Sequence, residues 1–210
     1  MFFDGLETRN NEERVADTTD KLPKQIARAG ALSGYNGVFK GVDASAITSV
    51  SDLPSLPVLR KSDLTKAQTA GNILGGFNAL KTSDFSHIFQ SPGPIYEPGG
   101  IDKDWWRMGR VLHALGIGKG DIIQNCFGYH LTPAGIIFES GARAVGAAVV
   151  PAGVGQTELQ VRAAADIGCT AYAGTPDYLK VILDKAAQMG ERLSITKAAV
   201  GGGALFPSLR

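Results

Sequence analysis

The sequence predicts an α/β fold: a largely parallel sheet flanked by helices, with a helical layer ahead of it. Three observations carry this. From His87 onward, short apolar runs rich in small and β-branched residues recur about every 25 residues, amphipathic stretches fill the intervals, and glycines gather at element ends instead of forming a repeat. Successive βα units produce that spacing, and connections between parallel strands are expected to be right-handed. The chain has 210 residues, 44% hydrophobic and 20% charged, so one folding unit with an appendage fits better than two complete domains or a disordered chain.

The N-terminal segment, residues 1–85, reads as helix and loop. Asn11 to Ala29 sets Val15, Leu22 and Ile26 among charges at mostly helical spacing, and Pro23 is expected to start a new helix or kink the old one. From Gly34 to Leu59, Pro54 and Pro57 exclude a regular helix, and Ser62 or Asp63 is placed to cap a short one. The second segment, residues 86–210, carries the alternation. Strands are expected at HIFQS, IIQNCF, AAVVPA, TAYAG and KAAVGG, with helices near Asp102–Leu115, Pro133–Val145, Thr157–Ile167 and Pro176–Met189.

Composition excludes several functions. Lys plus Arg total 21 against 20 Asp plus Glu, so no global basic field recommends nucleic acid or an anionic membrane. Cys126 and Cys169 stand far apart without zinc-ligand spacing, which points to a reducing cytoplasm. The N-terminus lacks the pattern of a secretory signal, and no apolar run reaches the roughly 20 residues that span a bilayer. His87 and His113 have no acid or serine at triad spacing, so neither a metal centre nor a nucleophilic triad is expected. GIGKGD precedes a strand instead of opening a helix after one, which makes it a helix stop and turn and not a dinucleotide fingerprint.

In parallel sheets, ligands bind beyond the carboxyl ends of the strands. The segments there are GYHLTP, PAGVGQTE, AGTPDY and GGGALFP. Tyr129 either walls an apolar pocket beside His130 or is a half-buried core aromatic, and Thr132 is placed to cap the next helix. In PAGVGQTE, Gln156 or Thr157 caps a helix, with Glu158 in its first turn. Thr175, Pro176 and Asp177 open another. Gly201, Gly202 and Gly203 either let a flat ligand lie on bare backbone or form a flexible exit. QSPGPIYEPGG occupies a phosphate-loop position, but Pro92, Pro94 and Pro98 bring no N–H and the loop holds no Lys, so it reads as a rigid turn before a phosphate cradle. Trp105 and Trp106 read as packing residues, one inward and one at a rim.

Taken in order, SPGPIYEP, DWWR, GDIIQNCFGYHLTPAG, ESGARAVGAAVVPAGVGQTELQV, AGTPDYL and GGGALFPSLR resemble the first half of a phenylacetate–coenzyme A ligase-type protein of the adenylate-forming superfamily. Asp121 to Gln160 is the most specific stretch. The resemblance implies an ATP-dependent reaction helped by Mg²⁺: an arylacetate-like acid becomes an acyl-adenylate, and coenzyme A then takes the acyl group. Residue by residue, it implies that Tyr129, His130, Gly153, Gly155, Thr157, Gly174, Thr175 and Pro176 form or edge the acyl pocket. Gly201, Gly202 and Gly203 fall where the family lays backbone against adenine, and Ser91 and Gly93 match its phosphate loop, with Pro98. The loop's threonine pair and lysine are absent, and Ala204 and Leu205 stand near where a glutamate often follows the adenine glycines.

No catalytic or metal-binding residue is expected within these residues, because the family's ribose-binding Asp and late Lys lie downstream. The chain is therefore expected to be a fragment or one half of something larger, inactive alone, and prone to self-associate or to pair with a complementing C-terminal half. The rival reading is a non-catalytic module that binds an aromatic acid or a partner subunit without ATP.

Overall fold

The computed structural model describes residues 2–209, so Met1 and Arg210, the last residue of the GGGALFPSLR run, lie outside the described residues. The chain forms two compact units, one ending at Gly100 and the other beginning at Ile101.

The first unit opens with α1 (Asn11–Gly30), closed at its start by a capping box in which Asn10 Oδ1 accepts from the Glu13 N–H at 2.8 Å and Glu13 returns to the Asn10 N–H at 3.0 Å. The helix runs through Pro23, so no new helix starts there. Proline removes one i→i−4 bond, and the Asp17–Lys21 and Asp20–Lys24 pairs on neighbouring turns help the helix tolerate it. Of the three apolar positions, only Ile26 is buried, and Val15 stays 55% exposed. Short 3-10 turns follow at Ser33–Tyr35, Ala44–Ala46 and Val50–Ser55, the last accommodating Pro54. Helix α2 (Lys61–Ala67) starts two or three residues earlier than a cap at Ser62 or Asp63 predicts: Arg60 is its N-cap, and Asp63 accepts the Arg60 N–H at 3.2 Å.

HIFQS forms strand β1 (His87–Ser91), but not within the parallel sheet. It pairs antiparallel with β2 (Ile95–Gly99), a strand where the sequence predicts a rigid turn. Three residues, Pro92 to Pro94, separate the two strands, a hairpin spacing. The side-chain amide of Gln68 completes the outer edge of β2, accepting from the Tyr96 N–H at 2.8 Å and donating to the Tyr96 carbonyl at 2.7 Å.

The second unit is a four-stranded parallel sheet in the order β4 (Ala148–Val150), β3 (Ile122–Asn125), β5 (Ala171–Gly174), β6 (Lys197–Val200). Helices α5 (Thr157–Ile167) and α6 (Pro176–Met189) occupy their expected spans, and α4 (Ala134–Val145) begins one residue late. Helix α3 (Met108–Ala114) is shorter than expected, because turns containing the left-handed residues Asp104 and Arg107 occupy the residues before it. Ile123, Ala171 and Ala173 pack with Leu112 and Ala142 on one face of the sheet. On the other, Val161 of α5 and Ile182 of α6 form a second cluster. Each fully buried aliphatic contributes about 1.5–3 kcal/mol.

The amino edge of this sheet is tied by Asp121, whose side chain is 11% exposed. Its carboxylate accepts from Lys197 at 2.8 Å, from the Thr170 hydroxyl at 2.8 Å and from the Gly118 N–H at 2.9 Å, joining three strands. Burial pushes this carboxyl up, but the bonds from Lys197, Gly118 and Thr170 outweigh it and hold the group below the ordinary aspartate value. A depressed folded value contributes stability above the unfolded pKa of about 3.9, and that stability is lost as pH falls through the folded value. Asp121→Asn is expected to cost about 2 kcal/mol at neutral pH. Urea titrations should show this gap constant above about pH 5 and closing toward pH 2; a gap unchanged at low pH would contradict the assignment.

Candidate functional site

The strand order places a topological switch beside β3: the chain leaves β3 for β4 on one side and returns past it to β5 on the other. The crevice beyond the carboxyl ends of β3 and β5 is therefore where a ligand site is expected.

From β3, Asn125 is 1% exposed and organises the turn that follows. Its side-chain amide donates to the Tyr129 hydroxyl at 2.8 Å and to the Gly135 carbonyl at 2.8 Å, and its Oδ1 accepts the Phe127 N–H at 3.3 Å. The Tyr129 ring lies on Gly135, where a Cβ would stand 2.7 Å from a ring carbon. Burial raises the Tyr129 pKa, and the Glu139 carboxylate beside it raises it further, so the phenol stays protonated at neutral pH. With the hydroxyl already engaged, what Tyr129 has left to offer a ligand is its half-buried ring. His130 is exposed next to it. The Thr132 hydroxyl donates back to the Gly128 carbonyl at 3.2 Å and does not cap α4, whose N-cap is Pro133.

The turn after β4 is held from behind by a residue the sequence reading did not single out. Gln160 of α5 is 5% exposed, and its amide donates to the carbonyls of Gly155 at 2.7 Å, Gly153 at 3.1 Å and Ala152 at 3.4 Å. Its Oε1 accepts from Gln124 Nε2 at 3.1 Å and from the Cys126 thiol at 3.1 Å. Gly153 and Gly155 sit at φ of 65° and 81°, where a side chain is strained, so the turn needs both glycines. Gln156 occupies the N-cap of α5 in a left-handed conformation and makes no side-chain capping bond, unlike the cap expected of Gln156 or Thr157. The Thr157 hydroxyl is 3.5 Å from that of Tyr178, which donates to the Gly155 carbonyl at 3.0 Å.

Beyond β5 and β6 the backbone is bare. Gly174 is required for space, because a Cβ there would overlap the Tyr172 hydroxyl, which donates to the Thr175 carbonyl at 3.0 Å. Thr175 is the N-cap of α6 without a side-chain bond to the helix backbone; its hydroxyl instead engages Asp177 and lowers that carboxyl's pKa. Pro176 is buried at the first helical position. The Gly201 N–H donates to the Gly174 carbonyl at 3.1 Å, which keeps the glycines on the sheet edge. A Cβ at Gly201 or Gly202 would meet the edge of the Phe127 ring, at Cζ (4.0 Å) and Cε1 (3.7 Å); that ring is itself stacked on Phe138 at 4.2 Å, and a Cβ at Gly203 would meet Pro176 and Asp177. The result is a shelf of glycine backbone beside an aromatic ring at the carboxyl edge of the sheet.

Cys126 lies under this site and is no nucleophile: burial pushes its thiol up to about 12, neighbouring Cys169 adds to this, and only a bond with Tyr172 opposes it. Among the described residues no three His, Cys, Asp or Glu side chains gather where they could hold a metal ion. No helix of the described residues is long and apolar enough to cross a membrane. Ser91 and Gly93 belong to the β1–β2 hairpin of the first unit. Trp105 is 41% exposed.

No family model matches the chain. Among curated proteins it is 30% identical over 206 residues to a phenylacetate-coenzyme A ligase of Aromatoleum evansii, a match covering 93% of this chain and 46% of the relative. The chain is a relative of the phenylacetate-coenzyme A ligases. A second ligase of that name, from Thermus thermophilus, is 29% identical, with 96% of this chain and 47% of the relative covered. The Escherichia coli ligase is 28% identical over 95% of the chain. This ligase-like chain thus spans about half the length of the curated relatives it matches. Among solved structures, an open conformation of 2-hydroxyisobutyryl-CoA ligase, in complex with 2-HIB-AMP and CoA, superposes with a TM-score of 0.84 at 20% identity, covering 94% of this chain and 46% of that one. The same enzyme with 2-HIB-AMP in its postadenylation state gives 0.79 at 21% identity. At this identity the likeness shows the fold, the α/β architecture expected from the sequence.

Proposed function

We propose that this chain is the N-terminal part of a cytoplasmic ATP-dependent acyl-coenzyme A ligase acting on an arylacetate-like acid, inactive by itself. The observation that carries the reading is the convergence, at one sheet edge, of the Tyr129 ring, the Gly153–Gly155 turn, the Gly174–Pro176 turn and the glycine shelf. Tyr129, His130, Gly153, Gly155, Thr157, Gly174, Thr175 and Pro176 are assigned to the acid, whose ring stacks on that of Tyr129. Gly201, Gly202 and Gly203 are assigned to adenine, and Ser91 and Gly93 to phosphate.

In the reaction, an acid oxygen attacks the α-phosphorus and pyrophosphate leaves; the coenzyme A thiol then attacks the acyl carbon and AMP leaves. These residues bind and orient; none of them transfers a proton. Mg²⁺ would supply charge stabilisation at the phosphates, and no residue here is assigned to hold it. Self-association, or pairing with a complementing chain, belongs to the same proposal.

Calorimetry on the 210-residue chain is expected to detect phenylacetate and ATP. Pyrophosphate exchange should stay at the no-enzyme level until the missing half is supplied. Acid binding without ATP would favour the non-catalytic module, and absence of acid binding would overturn the pocket assignment.

A further inference from the structure

The proline-rich hairpin turn has no lysine of its own, yet the fold supplies one. Lys61, the first residue of α2, brings its ammonium to 3.3 Å from the Ser91 hydroxyl, across 30 residues of sequence. Both groups surround the same anion. Ser91 donates to Glu97 Oε1 at 2.6 Å, and Lys61 lies 3.5 Å from that oxygen. Ser91 is 8% exposed and fixed at the end of β1, whereas the Lys61 and Glu97 side chains are 60% and 38% exposed and free to rearrange. The cluster is therefore a hydroxyl and an ammonium already arranged on an oxyanion, with the chain's own carboxylate in the place of a ligand. Pro92 and Pro94 in the turn offer no N–H, so anion recognition here falls to side chains. A compact ammonium is well suited to a phosphate oxygen, and a hydroxyl adds direction.

We infer that Lys61 is the cation of a polyphosphate-binding site on the β1–β2 hairpin, with Ser91 as its second donor and Glu97 as an internal competitor that a triphosphate displaces. This rests on the nucleotide-binding reading above and assigns it a residue outside the turn. Glu97, released, re-solvates, and Lys61 and Ser91 turn to the incoming phosphate oxygen.

The test uses calorimetry at fixed ionic strength with inorganic triphosphate and, separately, ATP. Lys61→Met should weaken both by at least ~10-fold through the lost charge-assisted bond. Glu97→Gln should tighten both by ~3-fold or more, since the competing carboxylate is gone while a neutral amide of the same shape remains. Lys66→Met is the control for bulk charge: its side chain is 82% exposed on the same helix, and its loss should change little. Circular dichroism confirms that each variant is folded. If Lys61→Met has no more effect than Lys66→Met, or Glu97→Gln weakens binding, the Lys61 site is wrong while nucleotide binding stands. If the unaltered chain binds neither anion but still binds phenylacetate, both the Lys61 site and the nucleotide reading fail, and the acid pocket survives.

Discussion

Gln160→Leu is expected to lower the unfolding free energy by about 2–4 kcal/mol, because a similar volume is kept while buried partners lose their bonds. The residue is 5% exposed and serves both the Gly153–Gly155 turn and β3. Its loss leaves the amide of Gln124, a residue only 1% exposed whose Oε1 has no partner, with a single long bond to the backbone carbonyl of residue 160 at 3.4 Å. The carbonyls of the turn fare better, since Gly155 is exposed and water replaces the amide there. Most of the cost therefore falls on Gln124. The double variant Gln124→Leu/Gln160→Leu is expected to recover part of the stability, since both partners then leave together. Urea midpoints at unchanged slope read the effect. A single variant as stable as the parent would show that the network contributes nothing, and an additive double variant would show that the two glutamines act separately.

Gly135→Ala is expected to act through Tyr129. The added Cβ would sit 2.7–2.8 Å from three ring carbons, so the ring must move or α4 must shift. Overpacking of this kind costs about 1–3 kcal/mol. The ring's departure also breaks the 2.8 Å bond from Asn125, leaving that amide only the Gly135 carbonyl. Thermal unfolding should show the loss, and phenylacetate affinity should fall ~10-fold as the stacking surface is displaced, a loss of about 1.4 kcal/mol. Adding Tyr129→Ala should relieve the clash, so that the two substitutions together cost less than the sum of each alone, while leaving binding weak. If Gly135→Ala binds phenylacetate as the parent does, Tyr129 is a core aromatic and not a pocket wall.

The second unit was legible in the sequence because its signals are local. Thr157–Ile167 and Pro176–Met189 show helical spacing between glycine stops, and small-residue strands separate them. His87–Ser91 is the strand the sequence predicts, but Ile95–Gly99 reads as a turn, because three prolines mask the hairpin signal of two short runs separated by a glycine-containing triplet. At Pro23 a local rule points to a new helix or a kink, because it cannot weigh the cap and ion pairs that carry one helix through it. The positions of Tyr129, Gly153, Gly155 and Gly174 followed from strand ends, but what holds them did not. Gln160 meets Gln124 across 36 residues and Lys61 meets Ser91 across 30, and no spacing rule on one chain reaches that far. Asn125 differs, since its partners Tyr129 and Gly135 are near in sequence, and a buried amide ending a strand ahead of a small-residue helix was a readable signal.

The Asp121 tie has a kinetic side. Its partners lie 49 and 76 residues downstream, at Thr170 and Lys197, so the full set of bonds closes only when the sheet's last strand has docked. Bonds between positions so far apart are expected to close late and to be largely absent at the folding barrier, which would place their stabilisation in slow escape from the native state. Acid should therefore act on this sheet as a release catch, hastening opening at the β6 edge while leaving the assembly of β3, β4 and β5 at nearly its former pace.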